Sequence, residues 1–253
     1  MKITFLGTGT SQGIPVIGCN HEVCLSDDPK DKRLRSSLLI ELDGVCVAID
    51  CGPDFRQQML KARVSKLDGI IFTHYHADHT AGLDDTRAFT QKFGVLPIYA
   101  KDDVIKDLKA RFNYIFTTEN KYLGAPELEI CEIDNKPFLV NDMEITPIKV
   151  DHGRLKIFGF RFLNVAYITD ASNISEKEIK KLYGLDVLII NALRKEPHPT
   201  HFGLQQALEV IERVKPKISY LTHISHKFGF HKDISKFLPK NVFLAYDGLS
   251  LQF

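Results

Sequence analysis

No run of about 18 apolar residues occurs anywhere in the chain, so no membrane-spanning helix is predicted. The opening stretch, Met1 to Gly7, is too short in apolar residues for a signal-peptide core and runs at once into Gly and Thr. Cysteines are few and odd in number, five, which argues against a disulfide framework. Without an export signal they read as reduced thiols or metal ligands, and the cytoplasm is the expected compartment. An excess of charge of one sign is also missing. Lys and Arg number 33 against 32 Asp and Glu, a net charge of +1 that argues neither for nor against nucleic acid. Long linkers, low-complexity tracts and evident repeats are absent, so a single domain over residues 1–253 is expected. What remains is 44% hydrophobic and 26% charged, a composition that supports a well-filled core.

The first third reads as strands. Ile3 and Phe5 alternate before a turn-rich segment at 7–18. Ser37–Leu42 and Val45–Ile49 flank Asp43-Gly44, a strong hairpin signal. Asp50-Cys51-Gly52-Pro53 stops the second strand, and a helix is predicted over 54–61. A short buried strand at 69–72 follows. Further strands are predicted at 96–99, 145–150, 158–163, 165–169, 187–190, 218–221 and 242–246, and helices at 102–111, 175–183 and 204–214. In the last helix Leu204, Ala207, Leu208, Ile211 and Val214 form one apolar stripe, as on a helix packed against a sheet. The pattern suggests two sheets face to face with helices outside.

The chemistry is concentrated in Thr73-His74-Tyr75-His76-Ala77-Asp78-His79. Imidazole and carboxylate are the usual ligands of zinc and similar ions. A regular strand would send 74, 76 and 78 to one face and 79 to the other. A loop or helix start can bend Asp78 and His79 round a second ion, so the spacing favours two neighbouring metals over one.

This segment resembles the H-x-H-x-D-H signature of the metallo-β-lactamase superfamily, and Asp50-Cys51-Gly52 resembles that family's D-x-G turn. The resemblance implies an α/β (α+β) fold, a four-layer αββα sandwich. It also implies three later ligands, a lone His, a bridging Asp after a strand and a late His, whose counterparts are His152, Asp170 and His223. On this pattern one ion takes His74, His76 and His152, the other takes Asp78, His79 and His223, and Asp170 bridges them. Asp50 is expected to hold a ligand imidazole by hydrogen bond.

A second metal is suggested by Cys19-Asn20-His21-Glu22-Val23-Cys24 together with His226, three residues beyond His223. These residues resemble the structural zinc site of the phosphoribosyl cyclic phosphate phosphodiesterases, the PhnP-like branch, whose loop is Cys-x-Cys-x-x-Cys. Here His21 replaces the middle Cys, leaving a Cys2His2 set. Gly7-Thr8-Gly9, Gln12-Gly13, Gly18-Cys19, Leu221 to His226 and Asp247-Gly248 carry the same resemblance.

The implied activity is metal-dependent hydrolysis of a small, cyclic, sugar-linked phosphodiester. A hydroxide bridging two Zn2+ or Mn2+ ions would attack phosphorus while the ions neutralise the developing charge. Asp78 and His201 are the expected catalytic side chains. His201 precedes the 204–214 helix and is the candidate general acid or phosphate contact. His198 and His231 read as ordinary surface residues, and Lys30, Lys32, Arg33 and Arg35 as a solvated basic face.

The same ligands serve other chemistries. A secreted β-lactamase is disfavoured by the missing export signal and by Asp170 as a bridge. A tRNA 3′-end nuclease would need a basic arm to clamp RNA, and none is evident. Glyoxalase-type thioester hydrolases end in helices, whereas this chain is predicted to end in strands. A metal-binding accessory protein would have lost ligands that are present here. A homodimer is expected by analogy alone.

Overall fold

The computed structural model describes residues 1–119 and 121–253. Its strands, in chain order, are β1 (Lys2–Gly7), β2 (Ser37–Leu42), β3 (Val45–Ile49), β4 (Gly69–Ile71), β5 (Leu96–Ala100), β6 (Leu128–Glu132), β7 (Phe138–Val140), β8 (Met143–His152), β9 (Leu155–Phe162), β10 (Val165–Ile168), β11 (Asn173–Ile174), β12 (Val187–Asn191), β13 (Ile218–Thr222), β14 (Val242–Leu244) and β15 (Ser250–Gln252). One sheet has the order β15-β1-β2-β3-β4-β5-β6; the other runs β11-β8-β9-β10-β12-β13-β14, with β7 paired to β8. Asp43 and Gly44, at φ 48° and 85°, join β2 to β3, and Leu42 pairs with Val45. This is the two-residue hairpin that Asp-Gly predicts.

Strand periodicity sends alternate side chains to opposite faces, and both faces of each sheet are apolar. Between the sheets, Phe5, Ile40, Val47 and Ile71 meet Phe160, Tyr167, Val187 and Ile189. On the outer face of the second sheet, helix Leu204–Val214 packs Ala207, Val210 and Val214 in one cluster with Ile168, Leu188 and Leu221. On the outer face of the first, helices Phe55–Ala62 and Asp102–Arg111 bring Phe55, Met59, Val104 and Leu108 to Ile70 and Ile98. Each fully buried Ile, Leu or Phe contributes roughly 1.5–3 kcal/mol. Three apolar layers between four layers of structure make the expected αββα sandwich. Among the described residues no helix is long and apolar enough to cross a membrane.

Several expectations need correction. The strand predicted at 145–150 extends to His152, which is therefore its last residue. The helix predicted at 175–183 is a single α turn, Glu176–Ile179, followed by a 3-10 turn, Lys180–Leu182. The edge strands β6, β11 and β15 and helix Arg87–Phe93 were not foreseen. The basic run is not a uniform solvated face. Arg33 is only 3% exposed, and its Nη1 donates to Thr8 Oγ1 at 2.7 Å and to the Ala245 carbonyl at 2.6 Å. His231, expected at the surface, is 8% exposed and lies with Nδ1 3.2 Å from Arg33 Nη2. Asp31 accepts the His231 N–H, and Asp247 accepts from the backbone and hydroxyl of Thr8 and from the Leu34 N–H. Buried charge persists only where it is paired in this way, and the network ties the early loop to the C-terminal segment.

Candidate metal centre

The candidate ligands gather where strands from both sheets end. β3 and β4 run parallel in one sheet, and β10, β12 and β13 in the other. Asp50 follows β3, Asp170 comes two residues after β10, and His223 follows β13; all three have left-handed backbone, at φ 65°, 57° and 55°. Such conformations are costly for non-glycine residues and persist only where surrounding structure imposes them. The Asp50-Cys51-Gly52 turn grips the ligand loop backbone to backbone. Cys51 N–H donates to the His79 carbonyl at 2.7 Å, and Gly82 N–H donates to that of Cys51 at 2.9 Å. A Cβ on Gly52 would lie 2.0 Å from the Asp78 carbonyl oxygen, so only glycine permits the approach.

Ligand atoms of His74, His76 and His152 lie within 4.8 Å of one another, and so do those of Asp78, Asp170 and His223, and of His74, His79 and Asp170. One cleft thus holds all seven side chains named from the sequence, with Asp170 belonging to more than one group. The donor set fits divalent cations. His74 Nε2 and His79 Nε2 are buried without a hydrogen-bond partner. His79 Nε2 is 3.1 Å from Asp78 Oδ2 and 3.4 Å from Asp170 Oδ2, yet makes no hydrogen bond to either. Buried polar atoms rarely stay unsatisfied, and a shared cation would satisfy these.

The opposite ring nitrogens are held from behind. His79 Nδ1 lies 2.6 Å from Asp50 Oδ2, and the Asp50 carboxylate also accepts the N–H and O–H of Thr73. Asp50 therefore sits where it can hold a ligand imidazole. Thr73 Oγ1 is 3.0 Å from His74 Nδ1, and His152 Nδ1 donates to the Thr200 carbonyl at 2.8 Å. His223 differs: its Nδ1 lies 3.2 Å from Ser36 Oγ and also 3.2 Å from Asp170 Oδ2 in the cleft. Fixing one nitrogen selects the tautomer and aims the other at the cleft. Thr73, Thr200 and Ser36 were missed in the sequence, where a hydroxyl or a carbonyl gives no signal.

The electrostatics suit the same role. Burial pushes the His74 imidazole well below its ordinary range, with nearby His79 adding to the effect, and burial takes His223 down to about 4. Both are then neutral, the form that binds metal. Burial opposes the charge on His79, but Asp170, Asp50 and Asp78 outweigh it and raise its pKa well above normal. Burial likewise opposes ionisation of Asp170, yet His223 and His79 hold it well below the usual carboxylate range.

His201 lies over the cleft. Its Nε2 is 3.1 Å from Asp170 Oδ1, and its ring is centred 4.7 Å from His152 and 5.0 Å from His223. His198, read as a surface residue, instead touches it, with the two Nδ1 atoms 3.3 Å apart.

The second candidate site is looser. The rings of His21 and His226 are 5.1 Å apart, and His226 Nδ1 is buried without a partner. Burial raises the Cys24 thiol pKa, and the neighbouring Cys19 thiol raises it further. His21 Nδ1 is already engaged, accepting the Val23 N–H at 3.2 Å. Among the described residues, every group of three ligand atoms mutually within 4.8 Å lies in the main cleft and none here.

Comparison with known proteins agrees with this architecture. Residues 46–224 match the family model described as a beta-lactamase superfamily domain. An octanoyltransferase of Porphyromonas gingivalis (strain ATCC BAA-308 / W83) is 40% identical over 252 residues, covering 98% of this chain but 51% of that protein. The chain thus spans about half the length of that relative. Ribonuclease Z of Borreliella burgdorferi (strain ZS7) is 26% identical over 305 residues, covering 88% of this chain and 93% of that one. A crystal structure described as a new diphosphatase from the PhnP family superposes with a TM-score of 0.93 at 41% identity, covering 100% of this chain and 97% of the other. Alike to that structure from end to end, and matched by the family model across both sheets, the chain belongs to the metallo-β-lactamase superfamily of hydrolases and, within it, to the PhnP family.

Proposed function

We propose that this chain is a dinuclear metal-dependent phosphodiesterase that cleaves a small, cyclic, sugar-linked phosphodiester. The observation that carries this reading is the placement of Asp170. One carboxylate oxygen lies near His79 and His223, and the other faces the proton-bearing candidate His201. His74, His76 and His152 would hold one cation, Asp78, His79 and His223 the other, with Asp170 shared. When bound, two divalent cations, Zn2+ or Mn2+, supply Lewis acidity to the phosphoryl oxygens and lower the pKa of water towards neutrality.

The protein's part is orientation and proton supply. Asp50, Thr73, Thr200 and Ser36 keep the ligand rings aimed, so little reorganisation accompanies the reaction. A water oxygen forms the new bond to phosphorus as the ester P–O bond breaks, and that water's proton passes to solvent. The departing alkoxide takes a proton from His201 Nε2, which is restored from solvent. No covalent nucleophile on the chain is required.

Likeness to a diphosphatase supports phosphoryl chemistry and makes a phosphoanhydride the second reading. The Cys19, His21, Cys24 and His226 group would take a structural zinc. A small-molecule substrate, a cytoplasmic location and a homodimer complete the proposal. Wild-type protein loaded with Zn2+ or Mn2+ should be assayed against ribose cyclic phosphates, linear diesters, diphosphates, thioesters, β-lactams and precursor tRNA. Fastest turnover of a cyclic phosphate supports the reading. Fastest turnover of a diphosphate selects the second reading, and fastest turnover of a thioester, a β-lactam or RNA sinks both.

A further inference from the structure

We propose that Arg111 is a positioning residue for His76: from the end of helix Asp102–Arg111 it fixes, through the Tyr75 carbonyl and the Thr80 hydroxyl, the backbone turn that carries His76. The inference rests on the proposed function only in taking His76 as a metal ligand.

His76 depends on such support more than its neighbours do. His74, His79 and His152 each have Nδ1 beside a group that can hold it, the Thr73 hydroxyl, the Asp50 carboxylate and the Thr200 carbonyl. Among the described residues the partly buried His76 ring has no hydrogen-bond partner. It meets His74, His152 and Tyr75 edge-on, with centroids 4.6, 5.1 and 5.5 Å away. The aim of the ring is therefore set by the backbone it projects from. That backbone bends at once: His76 lies at φ −59° and ψ 147°, and the turn Ala77–Thr80 follows with no side-chain cap.

Thr80 closes this turn. Its buried hydroxyl lies 2.9 Å from the His76 carbonyl, four residues back, which also accepts the His79 N–H at 3.0 Å. A guanidinium only donates hydrogen bonds. Thr80 Oγ1, 2.7 Å from Arg111 Nη2, must therefore accept from Arg111, which leaves its one proton for His76. The same Nη2 donates to the Tyr75 carbonyl at 3.1 Å. Both peptide groups flanking the His76 Cα are thus tied to one guanidinium, the first directly and the second through Thr80. Arg111 is itself held by Asp107, one helical turn earlier, whose Oδ2 accepts from Nε at 2.6 Å and from Nη2. The planar fork turns one edge to the carboxylate and keeps an N–H for the ligand loop. His79 is secured separately, by Asp50 at its ring and by Cys51 at its carbonyl. Loss of Arg111 should therefore weaken the cation held by His74, His76 and His152 and spare the one held by Asp78, His79 and His223.

Arg111→Met keeps the aliphatic stem and removes the donors. Thr80→Val keeps the shape and removes the relay, and Thr80→Ser keeps the hydroxyl. Stepwise affinities for Zn2+ should be measured by chelator competition in wild type, these variants and the Arg111→Met, Thr80→Val double variant, with His76→Ala marking which ion His76 holds. Amide hydrogen exchange at His79 and Ala81, whose N–H groups donate to His76 and Ala77 within the turn, should be followed without added metal. Arg111→Met and Thr80→Val should each weaken the ion that His76→Ala removes by about 10–100-fold, the range for losing a partner that orients a ligand, and leave the other within about threefold. The double variant should be no worse than the worse single, because both changes break one relay. Thr80→Ser should match wild type. Exchange at His79 and Ala81 should quicken about tenfold in Arg111→Met and Thr80→Val while the paired strands β4 and β5 keep their rates. Unchanged affinity and exchange overturn the inference. So do an equal loss at both ions or a uniform quickening, which would mean general loosening of the fold, and so does a double variant whose losses multiply. Should wild type bind a single ion, the dinuclear reading fails and the exchange rates alone decide the role of Arg111.

Discussion

His231 offers a test of the fold that is independent of the metal cleft. Its imidazole is buried with Nδ1 against the Arg33 guanidinium, and its ring meets Tyr246 edge-on at 5.8 Å. Burial lowers its pKa from 6.5 to about 4, and the charges of Arg33 and Lys30 add to the effect against the weaker pull of Asp31 and Asp28. The folded protein therefore keeps His231 neutral where the unfolded chain would protonate it. The sign follows from this. The contribution is fully present above pH 6.5 and is lost as pH falls towards the folded value near 4. A gap of that size corresponds to about 3 kcal/mol in all, of which about 2 kcal/mol falls between pH 7 and pH 5. In His231→Asn the amide oxygen can still accept from Arg33, but nothing titrates. Urea unfolding of metal-loaded wild type and variant at pH 7 and pH 5 should show the wild type losing about 2 kcal/mol more than the variant over that interval. Parallel losses, or a His231 imidazole titrating near its ordinary value by NMR, would refute the buried-neutral assignment.

Three further outcomes bear on the cleft. Asp50→Asn presents an amide to His79 Nδ1 and disfavours the tautomer with Nε2 free, so chelator competition should show metal affinity about 10–100-fold weaker; unchanged affinity would remove Asp50 from the site. Gly52→Ala places a methyl 2.0 Å from the Asp78 carbonyl oxygen, so it should displace Asp78 and His79. It should cost about 1–3 kcal/mol of stability by thermal unfolding, with less metal bound per chain by elemental analysis. His201→Ala should lower kcat about 100-fold or more with metal content unchanged, and equal activity in wild type and variant would exclude a role as proton donor.

The grouping of the candidate ligands could be read largely from the order of residues, because side chains suited to metal binding stand out chemically. Three histidines and an aspartate between 74 and 79 have few other uses, and the strand ends at 152, 170 and 223 supplied the rest through family resemblance. The hairpin at Asp43-Gly44 was equally plain, since positive φ at successive positions restricts the residues that fit. The supporting shell was not plain. Thr73, Thr200 and Ser36 act through hydroxyls and a carbonyl that many loops possess. Arg33 sat within a basic run that any solvated face would show, and only the assembled fold reveals Thr8, Ala245 and His231 converging on it. The left-handed backbone at Asp50, Asp170 and His223 was hidden for a related reason, since Asp and His enter that region more readily than β-branched residues and raise no alarm there.

Those three conformations connect the fold to its chemistry. Each lies just beyond a strand whose register is fixed by apolar neighbours on both faces, so the strand sets where the turn occurs. Left-handed backbone is tolerated there because the side chain is then caught: Asp50 by Thr73 and His79, Asp170 by His201 and Thr169, His223 by Ser36. Backbone strain and ligand placement are thus two aspects of one constraint. Loss of a catching partner should loosen the turn before it disturbs the sheets, because the strands behind it keep their packing and hydrogen bonds. The cleft is therefore the part of the molecule where sequence changes alter affinity and rate with the least effect on the sandwich that holds it.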